Sequence, residues 1–131
     1  MDTKTEAELM KFRNYTRILE QWIAVKQRNI SFDSWFIENQ FKKIAVYGMG
    51  RIGQLFINEM ADSNVKICFG IDKGQTAGVS QVKVVHPQDE FDEADLIVVT
   101  AMAEFAEIKR SLKKKVPCPV VSLEDIIYEL Y

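Results

Sequence analysis

The chain has 131 residues, 47% of them hydrophobic and 27% charged, with a formal net charge of −2. That length suits one domain with a real core, since about two-thirds of the unfolded surface is buried at this size. The near-zero charge excludes an electrostatic footprint for nucleic acid or an anionic membrane surface.

Residues 1–40 read as helical. Thr5-Glu6-Ala7-Glu8 fits a capping box with acids in the first turn. Leu9, Phe12, Tyr15, Ile18, Leu19, Trp22 and Ile23 then follow at helical spacing as a broad apolar stripe. Lys26 and Arg28 suit a helix end and Asn29 a stop. A short second helix is expected from Ser31, with Asp33 in its first turn and Trp35 and Phe36 on its apolar side. The stripe either covers the sheet of its own domain or pairs with another copy or a partner. We treat 1–40 as a docking or self-association segment and 41–131 as a separate domain.

Strands and helices alternate from Phe41 onward. Ile44-Ala45-Val46-Tyr47 has the length and β-branching of a strand buried on both faces. Gly48-Met49-Gly50-Arg51-Ile52-Gly53 follows at once, and Ile52, Leu55, Phe56 and Met60 open a helix expected over 51–61. Strand, G-x-G-x-x-G and helix in that order are the setting of a dinucleotide fingerprint. The glycines serve a tight turn, close approach of backbone to phosphate, and close packing of helix on strand. The helix start then offers free N–H groups to an anion. Arg51 in its first turn opposes the macrodipole unless an anion sits nearby.

A second strand, 65–71, ends at Asp72, about 20 residues after Gly53, where a dinucleotide fold places the acid for a ribose hydroxyl. A polar loop is expected over 73–78 and a short strand over 81–85, closed by His86-Pro87. Leu96-Ile97-Val98-Val99-Thr100 is an unbroken buried strand, followed by a helix over 104–114. A fifth strand at 119–121 and a helix over 123–130, capped by Ser122, complete the pattern. Alternation of this kind gives an α/β, Rossmann-like three-layer fold with a five-stranded parallel sheet, order 3-2-1-4-5. Ligand then belongs over the carboxyl ends of strands one and four. The candidate cofactor-binding residues are Gly48, Met49, Gly50, Arg51, Ile52, Gly53, Asp72, Lys73, Thr100 and Ala101.

Catalytic signatures are missing. His86, the sole histidine, reads as a loop residue. No Tyr is followed four positions later by Lys, and no G-x-S-x-G or metal cluster occurs. The acids Asp89, Glu90, Asp92, Glu93 and Asp95 read as a solvated turn, and Lys113-Lys114-Lys115 as a solvated helix end. Cys68 and Cys118 lack metal-type spacing and read as reduced thiols, for which a cytoplasmic location is expected. No apolar run approaches the ~18 residues of a membrane span, and the charged stretch after Met1 does not read as a signal peptide. With no substrate domain after the fifth strand, catalysis by the chain alone is not expected.

The runs KKIAVYGMGRIGQL, FGIDKG, ADLIVVTA and VVSLEDIIYEL resemble small Rossmann-like domains of bacterial surface-polysaccharide proteins. Those domains stand alone or are attached to glycosyltransferases, and are akin to the nucleotide-binding domain of UDP-sugar dehydratases. The resemblance covers 41–131 and implies that Gly48, Gly50 and Gly53 meet a diphosphate and Asp72 a ribose. It implies NAD(P) or a UDP-sugar as ligand, and a homodimer or a glycan-biosynthesis enzyme as partner. Regulatory domains of potassium uptake systems are also similar, but Val85-His86-Pro87-Gln88 stands where they carry Gly-Asp. Coenzyme A-binding domains share the fold. The expected function is a nucleotide-binding module, with Asp72 favouring NAD. The alternatives are a nucleotide-sugar dehydrogenase or epimerase completed by a partner, and a structural adaptor that binds nothing.

Overall fold

Strand alternation divides the apolar residues between the two faces of one parallel sheet. The computed structural model describes residues 2–74 and 82–131. Its strands are β1 (Lys43–Tyr47), β2 (Lys66–Ile71), β3 (Val84–Val85), β4 (Leu96–Val99) and β5 (Val120–Ser122), in the order β3-β2-β1-β4-β5. All four pairings are parallel, as expected from the sequence. Ile44, Val46, Leu96 and Val98 face one side, and Ala45, Tyr47, Ile97 and Val99 the other. The first side is covered by α1 (Thr3–Gln27), α2 (Asp33–Glu38), α3 (Arg51–Glu59) and α5 (Leu123–Leu130). The second is covered by α4 (Phe105–Lys113). Among the described residues no helix is long and apolar enough to cross a membrane.

Several boundaries differ from expectation for local reasons. The third strand pairs only over Val84–Val85; residue 81 and the loop beyond Gly74 lie outside the described residues. β5 starts at Val120 because Pro119 has no N–H, although its carbonyl still accepts from the Ile97 N–H at 3.0 Å. Register between β1 and β2 slips after Ile44, which pairs with Ile67, while Ala45 pairs with Phe69. Cys68 is therefore the extra residue of a bulge. A 3₁₀ turn, Met102–Glu104, precedes α4.

α1 is capped by Asp2 rather than Thr5: the Asp2 carboxylate accepts from the Thr5 N–H at 2.7 Å. An acid at the N-cap satisfies an orphan donor and also meets the positive helix end, so it displaces the threonine three residues on. The helix ends at Gln27, and Asn29 takes the left-handed conformation of a stop at φ 60. The apolar stripe divides. Ile18 and Trp22, with Val25, are buried in the core beside β1 and β4, whereas Leu9, Phe12 and Ile23 are exposed. Each such burial is worth about 1.5–3 kcal/mol. The exposed Arg17–Glu124 ion pair, at 2.5 Å, adds only ~0–1 kcal/mol. Apolar packing thus holds α1, and polar contacts orient it. Arg17 meets the start of α5 and Arg28 the carbonyl of Tyr131 after its end. Trp22 and Lys26 meet Glu59 at the end of α3, at 2.8 and 2.7 Å. α1 therefore runs in the same direction as α3 and α5.

Two charged stretches expected to be solvated carry structural bonds instead. The Asp95 carboxylate accepts from the backbone N–H groups of Lys42 and Lys43, at 3.0 and 2.9 Å, and so clamps the entry of β1 beside β4. Lys115 donates to the Pro87 carbonyl at 2.8 Å and to that of Asp89, and lies 3.9 Å from the centre of the Phe91 ring. Sequence spacing does not reveal either, because both bonds reach backbone groups distant in the chain.

The two N–H donors hold the Asp95 carboxyl below its ordinary value of 3.8. A depressed carboxylate stabilises the fold above its ordinary pKa and stops doing so as pH falls through the folded one. Asp95→Ala is expected to lower the unfolding free energy measured in urea at pH 7 by roughly 1 kcal/mol for the lost bonds. The gap between wild type and variant should shrink steadily below pH 4.

Candidate functional site

The chain leaves β1 at Tyr47 and reverses into α3 through three glycines in three different settings. Gly48 has φ 101, and a Cβ there would lie 2.5 Å from the Thr100 hydroxyl and 3.1 Å from the Ala101 nitrogen. Gly53, in the first turn of α3, would place a Cβ 2.1 Å from the Gly48 carbonyl oxygen. A Cβ on Gly50 would meet nothing within 4 Å. Two glycines are thus filled by the protein, and the middle one borders open space. Gly50 is also the N-cap of α3 and supplies no side-chain cap. The first N–H groups of the helix therefore lack intrahelical acceptors and carry the positive dipole end.

Neighbouring strands hold this turn in place. The Thr100 hydroxyl lies 2.6 Å from the Gly48 carbonyl and 3.2 Å from that of Tyr47. The Gly48 N–H donates to the Ile71 carbonyl at 2.9 Å. Asp72 accepts from the Met49 N–H through one oxygen and from the Gly74 N–H through the other, each at 2.7 Å. An ionised carboxylate has about four acceptor sites, so capacity remains after both bonds.

The structure brings Gly48–Gly53, Asp72, Thr100 and Ala101 together at the carboxyl ends of β1, β2 and β4. What each offers differs. Met49 is buried, with its sulfur where a Cβ on Gly70 would stand (2.5 Å), and Ile52 is buried in the core. Both present only backbone to a ligand. Thr100 is buried and its hydroxyl proton is spent on the turn. Arg51 and Lys73 are exposed. Tyr47 went unnoticed in the sequence because it ends an apolar strand. It is buried at the mouth of this crevice, and burial, then the charges of Glu104 and Asp72, push its phenol above its usual range.

Other candidates lie elsewhere. His86 accepts from the Gln88 N–H within its own turn, at 3.1 Å. Burial pushes the Cys118 thiol up, which disfavours the thiolate needed for nucleophilic chemistry. It lines a cavity of about 480 Å³ with Lys42, Asp95 and Lys115, at the opposite end of the sheet. No cluster of His, Cys, Asp or Glu able to hold a metal ion occurs among the described residues.

Residues 38–116 match the family model described as acetohydroxy acid isomeroreductase, NADPH-binding domain. The chain belongs to that family. Nothing among the curated proteins matches it. The match runs from the end of α2 through α4 and leaves out α1, β5 and α5. It makes the chain a nucleotide-binding Rossmann-like domain of the NAD(P) class. The residues present fit such a cofactor, with an open cradle at Gly50, an uncapped helix start behind it and a carboxylate at the end of β2.

Steric room separates the glycines experimentally. Gly53→Ala forces backbone apart and should cost about 2–3 kcal/mol or more in urea unfolding, at the upper end for overpacking. Gly50→Ala should cost about 1 kcal/mol or less, the difference between glycine and alanine at an N-cap.

Proposed function

We propose that this chain is an NAD(H)-binding module in which the glycine turn holds the diphosphate and Asp72 the adenosine ribose. The observation that carries the reading is the void beside Gly50 in front of the uncapped start of α3. Backbone N–H groups of Gly50, Arg51 and Ile52 would take phosphate oxygens, and the exposed Arg51 side chain adds a cation. Bound NAD would supply a hydride acceptor. The chain's own residues bind and orient it, and we assign no reaction to them.

The family is named for NADPH, yet Asp72 favours the unphosphorylated cofactor. A 2′-phosphate would sit beside that carboxylate, at a cost of about 1 kcal/mol per charge pair in water-like surroundings. Lys73 next door offsets part of it. Asp72→Asn should therefore narrow the preference for NAD over NADP by roughly fivefold, the equivalent of 1 kcal/mol. Thermal unfolding with NAD, NADH, NADP, UDP, UDP-glucose and coenzyme A in parallel tests the site. A ligand at 100 times its Kd adds ~2.7 kcal/mol, a rise of several degrees. Shifts with NAD and NADH larger than with NADP support the reading, and a shift with NADP alone refutes it.

A UDP-sugar is the second reading, since it carries the same diphosphate and ribose. Its support is the run VVSLEDIIYEL, outside the matched 38–116, which resembles domains of surface-polysaccharide proteins. In that case the module serves glycan assembly, and UDP compounds give the largest shift.

We assign the outer face of α1 to self-association. Glu6, Leu9, Met10 and Arg13 share one helix face, and Leu9 and Met10 are 43% and 63% exposed. Antiparallel pairing of two copies about the Leu9–Met10 midpoint sets each Glu6 opposite Arg13 of the partner subunit. Sedimentation should show a dimer that Glu6→Lys weakens and that Glu6→Lys with Arg13→Glu restores. A monomer throughout would remove the assignment.

A further inference from the structure

α1 is longer than the helices beside it, and its first turns do not rest on the sheet. Arg17 already lies level with the start of α5, so residues before it extend past the carboxyl ends of the strands. Two clefts open there, one on each side of the same helical face. The larger, about 830 Å³, lies between α1 and the start of α3, with Lys11, Phe12 and Tyr15 facing Gly50, Arg51 and Leu55. The smaller, about 130 Å³, lies between Lys11, Asn14 and Tyr15 and the 101–104 segment after β4.

Lys11 and Tyr15 line both clefts. The Lys11 ammonium stands 5.6 Å from the centre of the Tyr15 ring. Neither Lys11 nor Arg51 has a carboxylate partner among the described residues. Glu8 lines the larger cleft and Glu104 the smaller. Lys11 and Arg51 outnumber Glu8 in the larger cleft, which favours an anion beside the open glycine. The carboxylate of Glu104 disfavours one in the smaller, which suits an uncharged or cationic ring.

We propose that α1 forms a second wall of the nucleotide site. Lys11 joins Arg51 on the diphosphate, and Tyr15 with Asn14 packs against the half of the ligand remote from Asp72. The wall comes from outside the family-matched residues, so it adds contacts that the matched domain does not describe. It rests on the nucleotide-binding reading above, and it predicts which part of the ligand each element sees. Asp72 reads the adenosine end, α3 and Lys11 the phosphates, and α1 with the 101–104 segment the far ring.

The test uses the full chain, with NADH titrated by its own fluorescence and AMP by calorimetry. Lys11→Glu is compared with Lys114→Glu, the same charge change at the exposed end of α4, and with Tyr15→Leu. Lys11→Glu should weaken NADH at least tenfold and Lys114→Glu less than twofold. Tyr15→Leu should weaken NADH at least fivefold and leave AMP within twofold, because AMP lacks the far half. Thermal unfolding without ligand should be the same for Lys11→Glu and wild type, since Lys11 is exposed. Equal effects of Lys11→Glu and Lys114→Glu, or equal losses of NADH and AMP in Tyr15→Leu, would overturn the wall and leave the nucleotide site standing. A wild-type chain that binds neither ligand would overturn both.

Discussion

The site depends on how closely α3 approaches the strand that feeds it. The Gly48 carbonyl sits where a side chain on Gly53 would begin, and Thr100 reaches across from β4 to the same carbonyl. That contact pulls the start of the helix onto the crevice between β1 and β4, where the strand order reverses. Its uncapped N–H groups are thereby aimed at one place. Without the close approach, the helix would still cover the sheet, but its positive end would face solvent in no fixed direction.

Asp72 and Thr100 each have a structural duty at the site. One tethers the glycine turn to the end of β2, the other to the end of β4. A ligand that meets Asp72 therefore meets a group already oriented by two backbone donors. Such preorganisation lowers the ordering cost of binding. It also means that substitutions at Asp72 act on turn geometry and on ligand charge together. The neighbouring glycines are simpler, since the protein itself fills the space beside Gly48 and Gly53 and leaves only that beside Gly50.

α1 links fold and site. Its second half is ordinary core, with Ile18, Trp22 and Val25 packed beside β1 and β4. Its first half carries exposed apolar side chains and unpaired charge past the end of the sheet. One helix thus has an anchored part and a projecting part, and the projecting part has two faces. The inner face lines the clefts beside the glycine turn, and the outer face carries Leu9 and Met10.

Much of this was legible in the amino-acid order. Unbroken apolar runs, the glycine spacing and regular alternation of strands with helices determined the strand order, the turn and the acid at the end of β2, because these follow from local backbone chemistry and chain topology. Tertiary structure alone decided the rest. It placed Asp95 on the N–H groups of Lys42 and Lys43, buried Tyr47 at the crevice, and divided the α1 stripe between core and solvent. Each depends on contacts between residues distant in the chain, and helical periodicity marks an apolar face without saying how far along the helix a neighbour reaches.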